Sequence, residues 1–300
     1  MKKRWRVLCA ALCLALLCAC GQKQPEPTPP EPEPEPEPPH VVSLVCSNGE
    51  LTLRFHRGED NAWLWTDNVA FPLDGSCVDA LTDLALALDD LAPIPDPSGP
   101  ENYGLYDARK YVTVSYSDDT SVTWRFGTQA EDGMYFSSTD AAPERVCMAP
   151  GTLLDRMDQG IYSMAVLPAL PALTAEQLRE MTVTRGGHTD RLVLTGGRWL
   201  QAGADVTDDP SVQQLASFLM APELTRCVDF APSEGAAALC GLEPPAVVLT
   251  VTGDDPENSY TLTVGSLTED ASSCRVTVND DTTIYLMDAA ALDVLRSRIG

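Results

Sequence analysis

Residues 103–127 read YGLYDARKYVTVSYSDDTSVTWRFG, and residues 240–265 read CGLEPPAVVLTVTGDDPENSYTLTVG. Each stretch opens on a Gly-Leu turn, Gly104-Leu105 or Gly241-Leu242, and runs into a strictly alternating segment, Tyr111 to Tyr116 or Val247 to Thr252. Alternation with period two buries one face of a strand and wets the other. The acidic pairs Asp118-Asp119 and Asp254-Asp255 then supply turn residues, so each stretch predicts an antiparallel hairpin. Both return strands end on glycine, in Phe126-Gly127 and Val264-Gly265. The same residue at the same place twice points to a backbone requirement, either φ above zero or a bulge.

Working outward, the correspondence continues at an offset near 137 residues. Trp63 and Trp199 each close an alternating strand. A helix follows in each case, with Val78, Leu81, Leu84, Leu88 and Leu91 on one face, or Val212, Leu215, Phe218 and Leu219. Asp209-Pro210 is a good helix start. After the hairpins, Val146-Cys147-Met148 aligns with Ile284-Tyr285-Leu286, and short helices carrying Leu153, Leu154 and Met157, or Leu292, Val294 and Leu295, close each copy. Strands outnumber helices and are joined by short turns. The predicted class is therefore α+β, as two similar repeats, each a mostly antiparallel sheet with one or two packed helices. The expected boundaries are 41–167 and 168–300, with Leu167-Pro168-Ala169-Leu170-Pro171 as the joint.

Ahead of the repeats, Lys2, Lys3, Arg4 and Arg6 precede an apolar run from Val7 to Leu17, the build of an export signal over 1–19. The run is shorter than the roughly 20 apolar residues a membrane span needs. Leu17-Cys18-Ala19-Cys20 resembles the bacterial lipobox. That resemblance implies cleavage before Cys20, acylation of its thiol and anchoring in the bilayer on the extracytoplasmic face of the cell membrane. From Gly21 to His40 the chain holds nine prolines and five glutamates in 20 residues. Fixed φ, missing donors and charge repulsion extend such a segment, so 20–40 reads as a lipidated cysteine and a disordered polyproline-II spacer reaching roughly 60 Å.

The chain carries 44 acidic and 20 basic residues, a formal net charge of −24. Loss of the leader's four basic residues takes this to −28. Nucleic acid is excluded as a partner on that balance. Six cysteines lie in the body, Cys46, Cys77, Cys147, Cys227, Cys240 and Cys274, and extracytoplasmic conditions permit disulfides. Cys227 with Cys240 closes the shortest loop; six thiols is the alternative. No CxxC spacing points to redox or zinc chemistry.

Catalytic signals are weak. His40 ends the spacer, and His56 and His188 read as hairpin-turn residues; His188 with Asp190 lacks a nucleophile elbow. Asp208-Asp209, Asp254-Asp255 and Asp280-Asp281 lack EF-hand spacing and sit where turns and caps want aspartate. No phosphate-loop or dinucleotide motif is present, and Arg185-Gly186-Gly187 reads as a turn. The expectation is a chain without catalytic residues, metal ligands or cofactor. Trp63 and Trp199 recur at matching places, which marks them as core. Trp65 and Trp124 have no such counterparts and become the candidate ligand or partner contacts.

The order of Trp-ending strand, helix, Gly-Leu turn and Gly-ending strand pair resembles the bacterial domain of unknown function 4340, as two copies over about 41–300. Trp63, Tyr103-Gly104-Leu105, Phe126-Gly127, Met134-Tyr135-Phe136, Trp199, Gly241-Leu242-Glu243-Pro244 and Val264-Gly265 carry it. The first copy departs from the pattern after its turn, with Tyr106-Asp107-Ala108 where a proline is expected. The resemblance implies an exported, membrane-tethered protein that serves beside an envelope or ABC-type transport complex, and it supplies no catalytic residues. The alternative expectation is a solute- or glycan-binding receptor with its site between the two repeats.

Overall fold

In the first half, the alternating segments place Leu44, Cys46, Leu53, Phe55, Val112, Val114, Trp124 and Phe126 on one buried sheet face. The computed structural model describes residues 38–297, so the leader, Cys20 and most of the spacer lie outside the described residues. The strands are β1 (Val41–Asn48), β2 (Thr52–Arg57), β3 (Trp63–Trp65), β4 (Lys110–Tyr116), β5 (Ser121–Gln129), β6 (Tyr135–Thr139) and β7 (Ala142–Ala149). They form one sheet in the order β3-β2-β1-β4-β5-β6-β7. Helices α1 (Gly75–Leu86) and α2 (Thr152–Asp158) cover its apolar face with Val78, Leu81, Leu153, Leu154 and Met157.

The second half holds β8 (Leu178–Arg185), β9 (His188–Thr195), β10 (Arg198–Gln201), β11 (Ala204–Asp205), β12 (Arg226–Asp229), β13 (Val247–Gly253), β14 (Tyr260–Leu267), β15 (Ser273–Val278) and β16 (Ile284–Asp288). Their order is β11-β10-β9-β8-β13-β14-β15-β16-β12, with β11 and β12 as extra edges. Helices α3 (Pro210–Phe218), α4 (Ala236–Leu239) and α5 (Ala289–Ser297) accompany it, and α3 and α5 bury Val212, Leu215, Leu292 and Leu295. All strand pairs described are antiparallel. The class is thus α+β and sheet-dominated. Residues from His40 onward form one compact unit.

Helices α1 and α3 start the same way. Asp74 caps α1 by accepting from the Ser76 backbone N–H at 3.0 Å, and Asp209 caps α3 from Ser211 N–H at 2.9 Å. Trp63 donates its indole N–H to Asp79 of α1 at 2.7 Å, under the stacked Arg57 guanidinium 4.0 Å from its ring. Trp124 donates to Asp89, in the 3-10 turn that follows α1, at 3.1 Å. Two indoles on β3 and β5 thereby fix the helix layer on its sheet.

The paired glycines have a steric cause. A Cβ on Gly127 would lie 2.0 Å from the Tyr103 carbonyl oxygen, and one on Gly265 would lie 2.3 Å from that of Cys240. The Gly-Leu turn crosses directly over the return strand, and Gly104 and Gly241 both adopt φ of 68° to make it. Ladder register slips between Phe126 and Gln129 and between Val264 and Leu267, so each glycine sits at a β-bulge.

One expectation changes. His56 lies inside β2, opposite Ser43, with Nδ1 2.9 Å from the Thr66 hydroxyl; it is not a turn residue. β12 follows no alternating pattern; with the Thr225 N–H just ahead of it, its backbone completes the open edge of β16.

Replacing Gly127 or Gly265 with alanine should cost on the order of 2–3 kcal/mol, since a backbone oxygen cannot yield like a side chain. Gly186→Ala, with nothing within 4 Å but φ of 54°, should cost about 1 kcal/mol. Urea unfolding monitored by circular dichroism measures all three. Tyr260 has its hydroxyl buried with no partner among the described residues, so Tyr260→Phe should leave stability unchanged or raise it by about 1 kcal/mol in the same assay.

Candidate functional site

The two cores meet at an aromatic seam built from residues outside the alternating strands. Phe71 is 4% exposed, in the segment between β3 and α1. Its ring lies 5.4 Å from Trp65 and 5.5 Å from Phe230, both edge-on, and 6.1 Å from Tyr162. Edge-to-face geometry sets the positive ring edge against the negative ring face. Phe230 immediately follows β12, and Tyr162 sits in the 3-10 turn Ile161–Met164 that follows α2. Tyr162, Ala165 and Phe230 pack against both cores. Backbone bonds hold the joint alongside: Asp74 N–H donates to Met164 at 2.7 Å, Val166 N–H to Pro72 at 2.7 Å, and Leu173 N–H to Leu219 at 3.0 Å.

Beside this seam lies a cleft of about 310 Å³, lined by Gln159, Tyr162, Ser163 and Leu167 on one wall and Thr225 and Arg226 on the other. Burial and the neighbouring Asp229 carboxylate, 3.5 Å from the Tyr162 hydroxyl, push the phenol above its usual range. A larger, open groove of about 910 Å³ runs between α3 and α5, with Phe218, Met287 and Val294 on its floor and Glu223 and Asp288 among its polar groups. Met220, 63% exposed, stands just past α3.

The residues expected to make contacts are placed elsewhere. Trp124 is 2% exposed and fully committed to the first core, so it offers no surface. Trp65 is half-buried on Phe71, with its indole N–H buried and unpartnered among the described residues. It belongs to the seam. Cys227 and Cys240 are free thiols. Cys227 points into the second core from β12, whereas the Cys240 carbonyl meets Gly265 on β14, and β15 and β16 lie between those strands. At about 4.8 Å per strand they stand far beyond the roughly 7 Å Cα limit of a disulfide. Cys20 lies outside the described residues.

His188 opens β9 opposite Arg185, and Asp190 accepts a hydrogen bond from the Gln201 side chain. The acidic pairs act locally: Asp209 and Asp255 cap helices, and Asp281 accepts from the Thr283 N–H at 2.9 Å and the Tyr285 hydroxyl at 3.1 Å. Among the described residues no group of three His, Cys, Asp or Glu side chains could hold a metal, and no helix is long and apolar enough to cross a membrane. Phe71, Tyr162, Phe230 and Arg226 were not foreseen. Their only signal is an aromatic or basic residue in a segment with no period, as in Val228-Asp229-Phe230-Ala231-Pro232. No family model, curated protein or solved structure matches this chain.

Phe71→Ala should lower stability by about 3–5 kcal/mol, because it empties the point where four rings meet; urea unfolding reads it. Burial pushes the Cys46 thiol up to about 12 and those of Cys227 and Cys274 to about 11. The unfolded chain releases these protons near pH 9, so their contribution is whole below that pH and is lost as pH climbs towards 12. Thiol titration with Ellman's reagent at pH 8 should accordingly modify half-buried Cys77 and Cys240 first. Cys46, Cys147, Cys227 and Cys274 should react only on unfolding.

Proposed function

We propose that this chain is an extracytoplasmic lipoprotein, held in the cell membrane by acylated Cys20 and lifted from it by the Pro/Glu spacer. Its role in this reading is that of a non-catalytic accessory or scaffold for an envelope or ABC-type transport complex. The observation that carries the reading is Leu17-Cys18-Ala19-Cys20, placed directly after a basic and apolar leader and directly before the spacer. The body begins where the spacer ends: His40 exchanges backbone and side-chain bonds with Ser117, and β1 starts at Val41. A spacer without an anchor would have nothing to span.

We further read 41–167 and 168–300 as two repeats similar to the domain of unknown function 4340. The shared strand order from β3 to β7 and from β10 to β16, the Asp-x-Ser helix starts, and the twin glycine crossings support that reading. The open groove between α3 and α5 supports a macromolecular partner, since apolar floor beside exposed Met220 marks contact surface.

Growth with an alkyne-labelled palmitate should label the wild type and leave Cys20→Ala unlabelled and released from membranes on fractionation. A photocrosslinking residue at Gln214 should then recover a transport-complex subunit from wild-type cells and lose it with Cys20→Ala. Equal labelling of Cys20→Ala contradicts the anchor. A labelled, membrane-bound protein that crosslinks to nothing contradicts the accessory role.

A further inference from the structure

Helix α3 has two working faces. Val212, Leu215 and Leu219 belong to the second core and are fully buried. The next stripe round, Pro210, Gln213, Gln214, Ser217, Phe218 and Ala221, lines the open groove against α5. That spacing is i, i+3, i+4, i+7, i+8 and i+11, the continuous row that one side of a helix presents. Leu219 N–H donates to Leu215 at 3.1 Å and Ala221 N–H to Phe218 at 3.3 Å, so the turn after α3 carries the row on to Ala221. At 1.5 Å per residue the row is about 16 Å long, the length of about three turns of a helix laid along it. The facing side consists of Met287 near the end of β16 and Ala290, Ala291 and Val294 of α5. A trough of about 910 Å³ between two packed helices, with an apolar floor and alanines among its walls, has the shape that a third helix fills.

Charge selects the kind of helix. Glu223 and Asp288 are the charged residues of the lining, and neither is in an ion pair among the described residues. No lysine or arginine lines the groove; Arg226 and Arg296, close to it in sequence, are outside the lining. The chain as a whole carries −24, so the groove sits in a negative field that repels a second copy of the chain and an anionic lipid surface alike. Resting on the accessory role, we propose that the groove receives an amphipathic helix of the partner protein. Its apolar stripe, spaced i, i+3 or i+4, and i+7, packs on Phe218, Met287 and Val294, and flanking lysine or arginine side chains meet Glu223 and Asp288. Met220, directly ahead of Ala221 and 63% exposed, adds an adaptable apolar contact.

The test uses full-length protein in zwitterionic lipid nanodiscs, with empty nanodiscs as the blank. The probes are fluorescent peptides of about 18 residues, read by anisotropy. One has a leucine stripe at helical spacing with lysine flanks, one has glutamate in place of lysine, and one has the lysine peptide's composition in scrambled order. The lysine peptide should bind saturably at micromolar concentration and weaken as salt rises, and the other two should bind roughly tenfold more weakly or worse. Ser217→Arg sets bulk and positive charge on the groove wall at no cost in helix propensity, and should weaken binding by roughly tenfold or more. Glu223→Lys should weaken it by about fivefold, whereas Glu131→Lys, the same charge change in the β5–β6 turn, should bind as wild type. Circular dichroism confirms the fold of each variant, and Glu223→Lys, at an exposed position, carries the test if Ser217→Arg unfolds. Equal binding of the glutamate or scrambled peptide, or undiminished binding by a folded groove variant, overturns the site. Self-association or binding to anionic vesicles that Ser217→Arg abolishes gives the groove another occupant and overturns it as well. A transport-complex crosslink at Gln214 without peptide binding sinks the helix and leaves the accessory role standing; peptide binding without any such crosslink sinks the accessory role instead.

Discussion

Packing around Phe71 is the constraint on which the body depends. Each sheet buries its apolar face under its own helices, and neither hydrophobic core contains strands of the other. What makes one unit from them is the three rings of Trp65, Tyr162 and Phe230 that converge on Phe71, together with Ala165; Tyr162, Ala165 and Phe230 face both cores. Interfaces within a chain are often small and mobile. This one is aromatic at its centre, with Phe71 buried, and the backbone bonds of the joint to Pro72 and Leu219 keep its two sides in register.

The same seam accounts for β12. That strand is irregular in sequence, pairs with β16 alone, and has a bulge between Cys227 and Asp229. Its place is set by Cys227 pointing inward and Phe230 reaching the seam. In the first half the corresponding edge is met, among the described residues, by the isolated bridge Pro93 to Cys147, where the Ile94 N–H donates to Val146 at 2.9 Å. Proline lacks the N–H to extend the ladder, so that edge is blunted. β12 itself lies against the 3-10 turn Ile161–Met164, and the cleft opens between them.

Much of each half was legible because local chemistry and tertiary role coincide. The alternation at Tyr111 to Tyr116 and at Val247 to Thr252 gave β4 and β13, Asp209-Pro210 gave the start of α3, and Gly127 and Gly265 marked backbone crossings. The glycines were read as positive φ or a bulge; the bulge is present, and the close carbonyl contact behind it is a tertiary fact no local pattern encodes. His56 was misplaced because β2 ends later than its polar residues imply. Cys227 and Cys240 are close in sequence, but two strands intervene between them. Trp124 lacks a tryptophan counterpart yet is core, because its ring is buried while its indole N–H reaches Asp89, an exposed acceptor at the edge of the helix layer. The seam and Arg226 were illegible since loop aromatics and a lone arginine carry no period.

These elements give a body of two sheets held as one piece, with an open groove on the second half and a small cleft at the joint. Calorimetric unfolding of the full-length protein tests that unity most directly. The account predicts a single transition whose calorimetric and van't Hoff enthalpies agree. Two resolved transitions, or a calorimetric enthalpy about twice the van't Hoff value, would contradict it and make the halves independent domains.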